Sequence, residues 1–407
     1  MPHLEAALHV LLLLAVVIGL GRALAWPMRR LGQPAVMAEV LAGVLLGPSI
    51  LGALVPGANE WLLPAPAALP MELLADAGVV LYLFQVGLEV DGTALRAQAR
   101  SLGMIAAGSL VMPFVLGLAV APLLWPQLAG SRAQAPLFFL FVAVAMSVTA
   151  FPVLARLLSD QGLTRTRLGQ VALGAAALAD VAAWGLLAIV AALAQREPGR
   201  AWLTPGLFVL FLAGMGILGR PLLARLSRRT ERPAVVALLV LAGLGAWATD
   251  RIGVHAAFGA FVVGLLVPHD SPLARRINDR IPGFVSRALM PAFFAWSGLR
   301  THLGLIDDWQ GWLGCLGLVV VAVVGKVGGT RLMASRAKLD AREGLALGLL
   351  LNTRGLVELV VLNVGLDLGL LSPRLFAMLV VMALATTFST VPLLRRFTPE
   401  FLHPGAG

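Results

Sequence analysis

The sequence predicts an all-α polytopic membrane protein of about 13 transmembrane helices, built as two inverted-topology repeats. Three observations carry that prediction. Apolar residues make up 59% of the 407 and charged residues only 13%, about half the charged share of an average soluble domain. Apolar stretches long enough to cross a bilayer recur from one end of the chain to the other. Two of them, the fifth and the twelfth, are interrupted near their middles by polar residues together with Pro or Gly.

The stretches centre near residues 14, 44, 80, 112, 146, 182, 213, 241, 260, 292, 321, 355 and 383. Their basic residues alternate in a way that tests the series. Loops on one side hold about 23 of the 31 Lys and Arg, including Arg29, Arg30, Arg156, Arg167, Arg228, Arg229, Arg275, Arg276, Arg395 and Arg396. The other side holds about six, such as Arg132, Arg251, Arg300 and Arg374. By the positive-inside bias the N-terminus lies outside and the C-terminus in the cytoplasm, in a cell membrane.

The interrupted segments lie seven apart, so superposing segments one to six on eight to thirteen aligns them, and the odd offset inverts one repeat against the other. The expected division is a first repeat over 1–194, a linker helix over 195–230 and a second repeat over 231–400.

The net charge of +10 would suggest nucleic acid in a soluble chain. Here the arginines are scattered through short loops, which fits membrane orientation instead. Cys315 stands alone in an apolar run, with no disulfide or metal cluster to join. Ala23-Leu24-Ala25 imitates a signal-cleavage site, but Glu5 and the absence of an early Lys or Arg make the first stretch a membrane helix. No P-loop, dinucleotide fingerprint or HExxH is present. GxxxG-like spacings are too common among 44 glycines to be diagnostic.

The chemistry concentrates in residues 145–185. The fifth segment carries Ser147, Thr149 and Pro152; proline lacks the helical donor and its ring strains the preceding turn, so a break is expected there. The sixth carries Asp180 among apolar neighbours. A carboxylate so placed costs roughly 3 kcal/mol to insert and is kept for a function. An apolar setting favours its neutral form, so one carboxyl could take a proton and a monovalent cation in turn; the plainer reading is a structural carboxylate paired to a neighbouring helix. Ser147 and Thr149 either offer oxygens to a hard cation such as Na⁺ or K⁺ or satisfy the helix backbone around Pro152. Asn352 and Thr353 stand in the same two positions in the second interruption, Asn352-Thr353-Arg354-Gly355.

Lys326 falls deep in the eleventh segment. It could neutralise helix dipoles, pair with a carboxylate, carry a proton, or snorkel from a helix end. Arg354 and Glu358 are four apart and positioned to pair. Glu39 and Asp76 could line the two approaches, Glu89 borders a loop, and His255 reads as structural at the outer start of the ninth segment.

At these motifs the chain resembles the monovalent cation:proton antiporter-2 family, in particular its plant and fungal cation/H⁺ exchangers and their bacterial relatives. The resemblance runs through QPAVMAEVLAGVLLGPSILG (33–52), LFQVGLEVD (83–91), MSVTAFPVLARLL (146–158), ADVAAW (179–184), HAAFGAFVVGLLVP (255–268), SGLR (297–300), GKVGGT (325–330) and LNTRGLVELVVLNVG (351–365). It implies crossed broken helices in a core unit, a separate dimerisation unit, and elevator-like movement of the core. It also implies that Asp180 is the ion-binding aspartate, Thr149 the broken-helix threonine and Lys326 the core lysine.

Ala179 departs from the pattern, since the family commonly has Asp or Asn before the aspartate. That favours a single carboxylate exchanging one H⁺ for one cation, with Glu358 a possible substitute partner for Lys326. The soluble tails of many relatives are not seen in this sequence, so regulation through them is not expected.

These readings converge on a secondary antiporter exchanging Na⁺ or K⁺ for H⁺, working in the bilayer as a homodimer, with no cofactor, no nucleic-acid partner and no enzymatic activity. The rivals are an organic-anion carrier of similar fold, which Asp180 would repel, and a cation channel, which would need a continuous pore.

Overall fold

The computed structural model describes residues 2–30, 33, 35–89, 99–164, 166–194, 198–229, 232–252, 256–280, 283 and 285–401. Among them the chain is almost entirely helical, and the only strand-like feature is an isolated bridge between Ala129 and Leu371. Among the described residues, nine helices are long and apolar enough to cross a membrane. The chain is therefore a multi-pass membrane protein. The four remaining sequence centres, near 146, 260, 292 and 355, fall on short or interrupted helices: Ala135–Ser147, Ala256–Leu266, Met290–Leu299, and the Ala341–Leu351 and Leu356–Asp367 pair. His255 and Arg165 lie outside the described residues.

The helices sort into two compact units. One comprises Met1–Ala23, Glu39–Arg96 and Ala191–Arg300, the other Leu24–Ala38, Ala97–Val190 and Thr301–Gly407. Within the first unit, Gly87 lies against Phe261 and Gly264 against Phe84, so the Ala65–Glu89 and Ala256–Leu266 helices meet backbone to backbone. Glu39 and Asp76 belong to this unit.

The second unit contains both interrupted segments. Two of its long helices, Ala99–Leu128 and Trp309–Arg336, pack through glycine: Gly108 and Gly329 lie against each other's carbonyl oxygens. A Cβ on Gly325 would come within 2.8 Å of the Pro113 backbone. The Gly325-xxx-Gly329 spacing, undiagnostic in the sequence, is thus a real contact face. Without a hydrophobic driving force between helices in lipid, small residues that admit close backbone approach supply the association. That approach also sets the depth of Lys326, one residue beyond Gly325.

Two helix starts in this unit are pinned together. Asp308 caps Trp309–Arg336 by accepting from Gly311 N at 2.6 Å, and it receives Arg374 of the Pro373–Phe397 helix at 2.5 Å. These two donors hold its carboxyl below the ordinary carboxylate range. A lowered carboxyl contributes stability above its unfolded pKa of about 3.9 and loses it as pH falls through the folded value.

Two predictions follow from this packing. Gly329→Ala should destabilise the detergent-solubilised protein by about 1–3 kcal/mol, read as a lower melting temperature at neutral pH. Acidifying wild type below about pH 4 should lower its melting temperature more steeply than that of Arg374→Gln, which lacks one of the donors to Asp308; parallel pH profiles would refute the link.

Candidate functional site

The site grows out of a broken helix. Ala135–Ser147 stops, residues 148–150 leave the helix, and Phe151–Asp160 resumes it. Pro152 explains the position. In an unbroken helix it would owe a hydrogen bond to Val148 O and its ring would strike that carbonyl, and the helix departs at that residue. Pro152 then falls in the first turn of the next half-helix, where no backbone donor is required.

A helix ending inside a bilayer leaves its last four carbonyls without partners, and here each one is answered. Val144 O accepts Val148 N at 3.2 Å and the Ser147 hydroxyl at 2.8 Å. Ala145 O and Met146 O accept from the Arg354 guanidinium at 3.0 and 2.5 Å. Ser147 O accepts from Lys326 Nζ at 2.5 Å. Two cations thus sit on the negative end of one half-helix dipole. Lys326 also donates to Thr149 Oγ1 at 2.6 Å, while the Ser147 hydroxyl satisfies the helix backbone at Val144 O.

The second interruption lies against the first. Ala341–Leu351 ends, and Leu356–Asp367 begins after Asn352-Thr353-Arg354-Gly355. Thr353 turns its hydroxyl back to Leu350 O at 2.7 Å, while its carbonyl accepts Ala150 N across the two breaks at 3.1 Å. Arg354 is clamped at its backbone by Thr387, whose hydroxyl receives Arg354 N at 2.8 Å and donates to Arg354 O at 2.7 Å. A Cβ on Gly355 would come within 2.6 Å of Val153 Cγ2. Only a residue without a side chain lets the two broken segments approach this closely.

Asp180 stands on Arg167–Ala194 and is 4% exposed. One oxygen, Oδ2, accepts from Phe151 N at 3.2 Å, placing the carboxyl at the positive start of the resumed half-helix. The other, Oδ1, is buried without a hydrogen-bond partner. Both polar atoms of the Asn352 side chain are buried and unpartnered as well. Such groups are costly in an apolar interior, and each calls for a physical reason.

Arg354 and Glu358 pair at 2.8 Å with both side chains fully buried, as their spacing predicts. That pairing corrects one expectation: Glu358 is engaged by Arg354 and does not replace a missing partner of Lys326, whose contacts are a carbonyl and a hydroxyl. Asp180, Lys326, Arg354 and Glu358 are the four charged side chains buried among the described residues, and their formal charges cancel.

This chain is similar throughout to known membrane proteins. The transmembrane sodium/hydrogen exchanger family matches it over residues 12–396. The chain belongs to that family. It is 41% identical over 405 residues to Cation/H(+) antiporter 17 of Arabidopsis thaliana, a match covering 96% of this chain and 48% of that protein. It is 36% identical over 405 residues to the Na(+)/H(+) antiporter NhaS4 of Synechocystis sp., covering 97% of this chain and 99% of that one. The chain thus spans about half the length of its plant relatives. Among solved structures, the sodium proton antiporter MjNhaP1 of Methanocaldococcus jannaschii shares the fold at a TM-score of 0.66 and 16% identity, over 99% of both chains.

Within this family member, the eight candidates on the two interruptions and at Asp180 and Lys326 lie in one unit: Ser147, Thr149, Asp180, Lys326, Asn352, Thr353, Arg354 and Glu358; Glu39 and Asp76, offered for the approaches, lie in the other. Sequence reasoning missed the Phe151 amide, the Ala150–Thr353 bond and Thr387. The first two are backbone groups. Thr387 is one of several threonines in its helix, and nothing local distinguishes it from Thr386 or Thr390.

Replacing Arg354 with Met should cost about 3–5 kcal/mol, because it leaves Glu358 as an uncompensated buried charge and uncaps two carbonyls. A melting curve of Arg354→Met that overlays wild type would contradict this account of the break.

Proposed function

We propose that the chain is a secondary antiporter exchanging a monovalent cation, Na⁺ or K⁺, for H⁺, with Asp180 holding proton and cation in turn. The observation that carries the reading is the asymmetry of this carboxyl. One oxygen is fixed by the Phe151 amide and the other is buried and free to take a ligand. A single free carboxylate oxygen accepts a proton or coordinates a cation, and occupancy by one excludes the other. That competition couples the two fluxes without any further element. The names of the plant and cyanobacterial relatives, cation/H(+) and Na(+)/H(+) antiporters, support the same exchange.

Lys326, held on Ser147 O and Thr149 Oγ1, and Asn352, with its unpartnered amide, complete the polar surroundings in this proposal. Arg354 and Glu358 are structural: they hold the two breaks together and do not touch the ion. Ala179 leaves Asp180 as the one carboxylate available to the ion, which favours one proton for one cation and an electroneutral cycle.

We further propose about thirteen crossings in two inverted repeats, with each interrupted helix pair forming one crossing, the N-terminus outside and the C-terminus cytoplasmic. Each proposed repeat contributes its earlier helices to one compact unit and its later helices to the other, which is what an inverted duplication of a two-part protein would leave. A homodimer in the cytoplasmic membrane follows from the same proposal.

Purified protein in proteoliposomes loaded with a pH-sensitive dye tests it. Addition of Na⁺ or K⁺ should drive proton movement in wild type, unaffected by valinomycin clamping if the cycle is electroneutral. Asp180→Asn should abolish it at unchanged folding and insertion. Exchange that survives in Asp180→Asn would overturn the site, and the absence of cation-coupled proton movement in wild type would overturn the activity.

A further inference from the structure

Gln33 opens the motif QPAVMAEVLAGVLLGPSILG and follows the Pro2–Arg30 helix, yet it is only 3% exposed. Its backbone N–H donates to Met28 O at 2.9 Å. Its side-chain Nε2 donates to Phe388 O, also at 2.9 Å, across 355 residues of sequence. A side-chain amide taken that far out of water needs a partner that wants it.

Pro392 makes Phe388 O such a partner. It stands inside the Pro373–Phe397 helix, four residues after Phe388, so the helical ladder has no N–H to offer that carbonyl. The Gln33 amide takes the place of the missing donor. The turn it completes is not an ordinary one. Of the four hydroxyl residues in Thr386-Thr387-Phe388-Ser389-Thr390, three turn back on their own helix: Thr386 to Met382 O, and Ser389 and Thr390 to Thr386 O. Thr387, next to Phe388, turns away and clamps Arg354 at its N–H and its carbonyl. Arg354 in turn answers Ala145 O and Met146 O at the end of the first half-helix. The proline thus removes a hydrogen bond beside the residue that fixes the second break, and Gln33 restores one there.

Gln33 also lies on a short excursion of the chain. Leu24–Ala38 belongs to the unit that holds both breaks, whereas Met1–Ala23 before it and Glu39–Arg96 after it belong to the other. Both ends of the segment that Gln33 anchors are therefore passages from one unit to the other.

We infer that Gln33 is a positioning residue for the exchange site: by supplying the donor that Pro392 lacks, it holds the Phe388 turn, keeps Thr387 on Arg354, and ties the excursion to the breaks. For its kinetic consequence this rests on the exchange reading above; its hydrogen-bond consequence does not.

Hydrogen–deuterium exchange of the full chain in detergent and cation-driven proton movement in proteoliposomes read the two consequences separately. Gln33→Leu should lower protection of the Arg354 amide, the donor to Thr387, about tenfold. It should also raise the cation KM about tenfold at nearly unchanged kcat, as expected when the ion is bound less well and moved as before. Pro392→Ala returns a helical donor to Phe388 O, so adding Gln33→Leu to it should change neither readout. Where Pro392→Ala does not fold, Gln33→Glu decides. Its carboxyl donates to Phe388 O only while protonated, so Arg354 protection relative to wild type should be kept at acid pH and lost as pH rises. Unchanged Arg354 protection in Gln33→Leu, equal losses with and without Pro392, a pH-independent Gln33→Glu, or a lowered kcat at constant KM would each overturn the inference. Wild type that moves no protons with the cation would overturn the exchange reading alone, and amide protection would still decide the role of Gln33.

Discussion

The structure depends on one constraint: a helix that stops inside a membrane must have its terminal carbonyls satisfied by the protein. Arg354 and Lys326 meet that demand at the end of Ala135–Ser147. They can do so only because the second break and the Trp309–Arg336 helix come within reach of the first. The guanidinium fork answers two successive carbonyls at once, which a lysine in its place would not do. Glu358 and Thr387 then fix Arg354 at its two ends, one at the guanidinium and one at the backbone. The cations are thus part of the helix termination before they are part of any ion chemistry.

With the negative end of the first half-helix closed by cations, the positive start of the second is left to Asp180. The carboxyl takes one backbone donor and has no second partner. Four buried charges cancel, but they are not arranged as two equal pairs. Arg354 and Glu358 are in contact, whereas Lys326 binds a carbonyl and a hydroxyl of the break and Asp180 accepts a single backbone amide from its far side. An ion arriving at Asp180 in the proposed cycle would therefore have no salt bridge to break. It would change the field that Lys326 feels while leaving Lys326's hydrogen bonds in place.

Much of this was legible in the sequence because membrane helices expose their exceptions. Asp180, Lys326 and Arg354 stand out in apolar runs, the i,i+4 spacing announces the Arg354–Glu358 pair, and Pro152 and Gly355 locate the two breaks to within a turn. The partners of those residues were hidden. Lys326 could be placed deep in the protein but not on Ser147 O, because that contact joins residues 179 apart through backbone atoms, which carry no residue signature. The glycine face of Trp309–Arg336 was invisible for a different reason: in a chain with 44 glycines, spacing alone cannot separate a packing contact from composition.

Ala179 is where these arguments meet. A second carboxylate at 179 would add a fifth buried charge to a set whose formal charges now cancel. With alanine there, buried to 1% exposure, that position adds no charge, and the hydrogen bonds of Lys326 go to the half-helix end and Thr149. The four formal charges cancel when Asp180 is ionised and empty, and a proton or a monovalent cation bound there adds one positive charge. The proton-bound and cation-bound carboxyls, by contrast, carry the same net charge as each other. In the proposed cycle the two loaded states that move are therefore electrostatically equivalent to the rest of the unit, and the empty carboxylate is the state that differs.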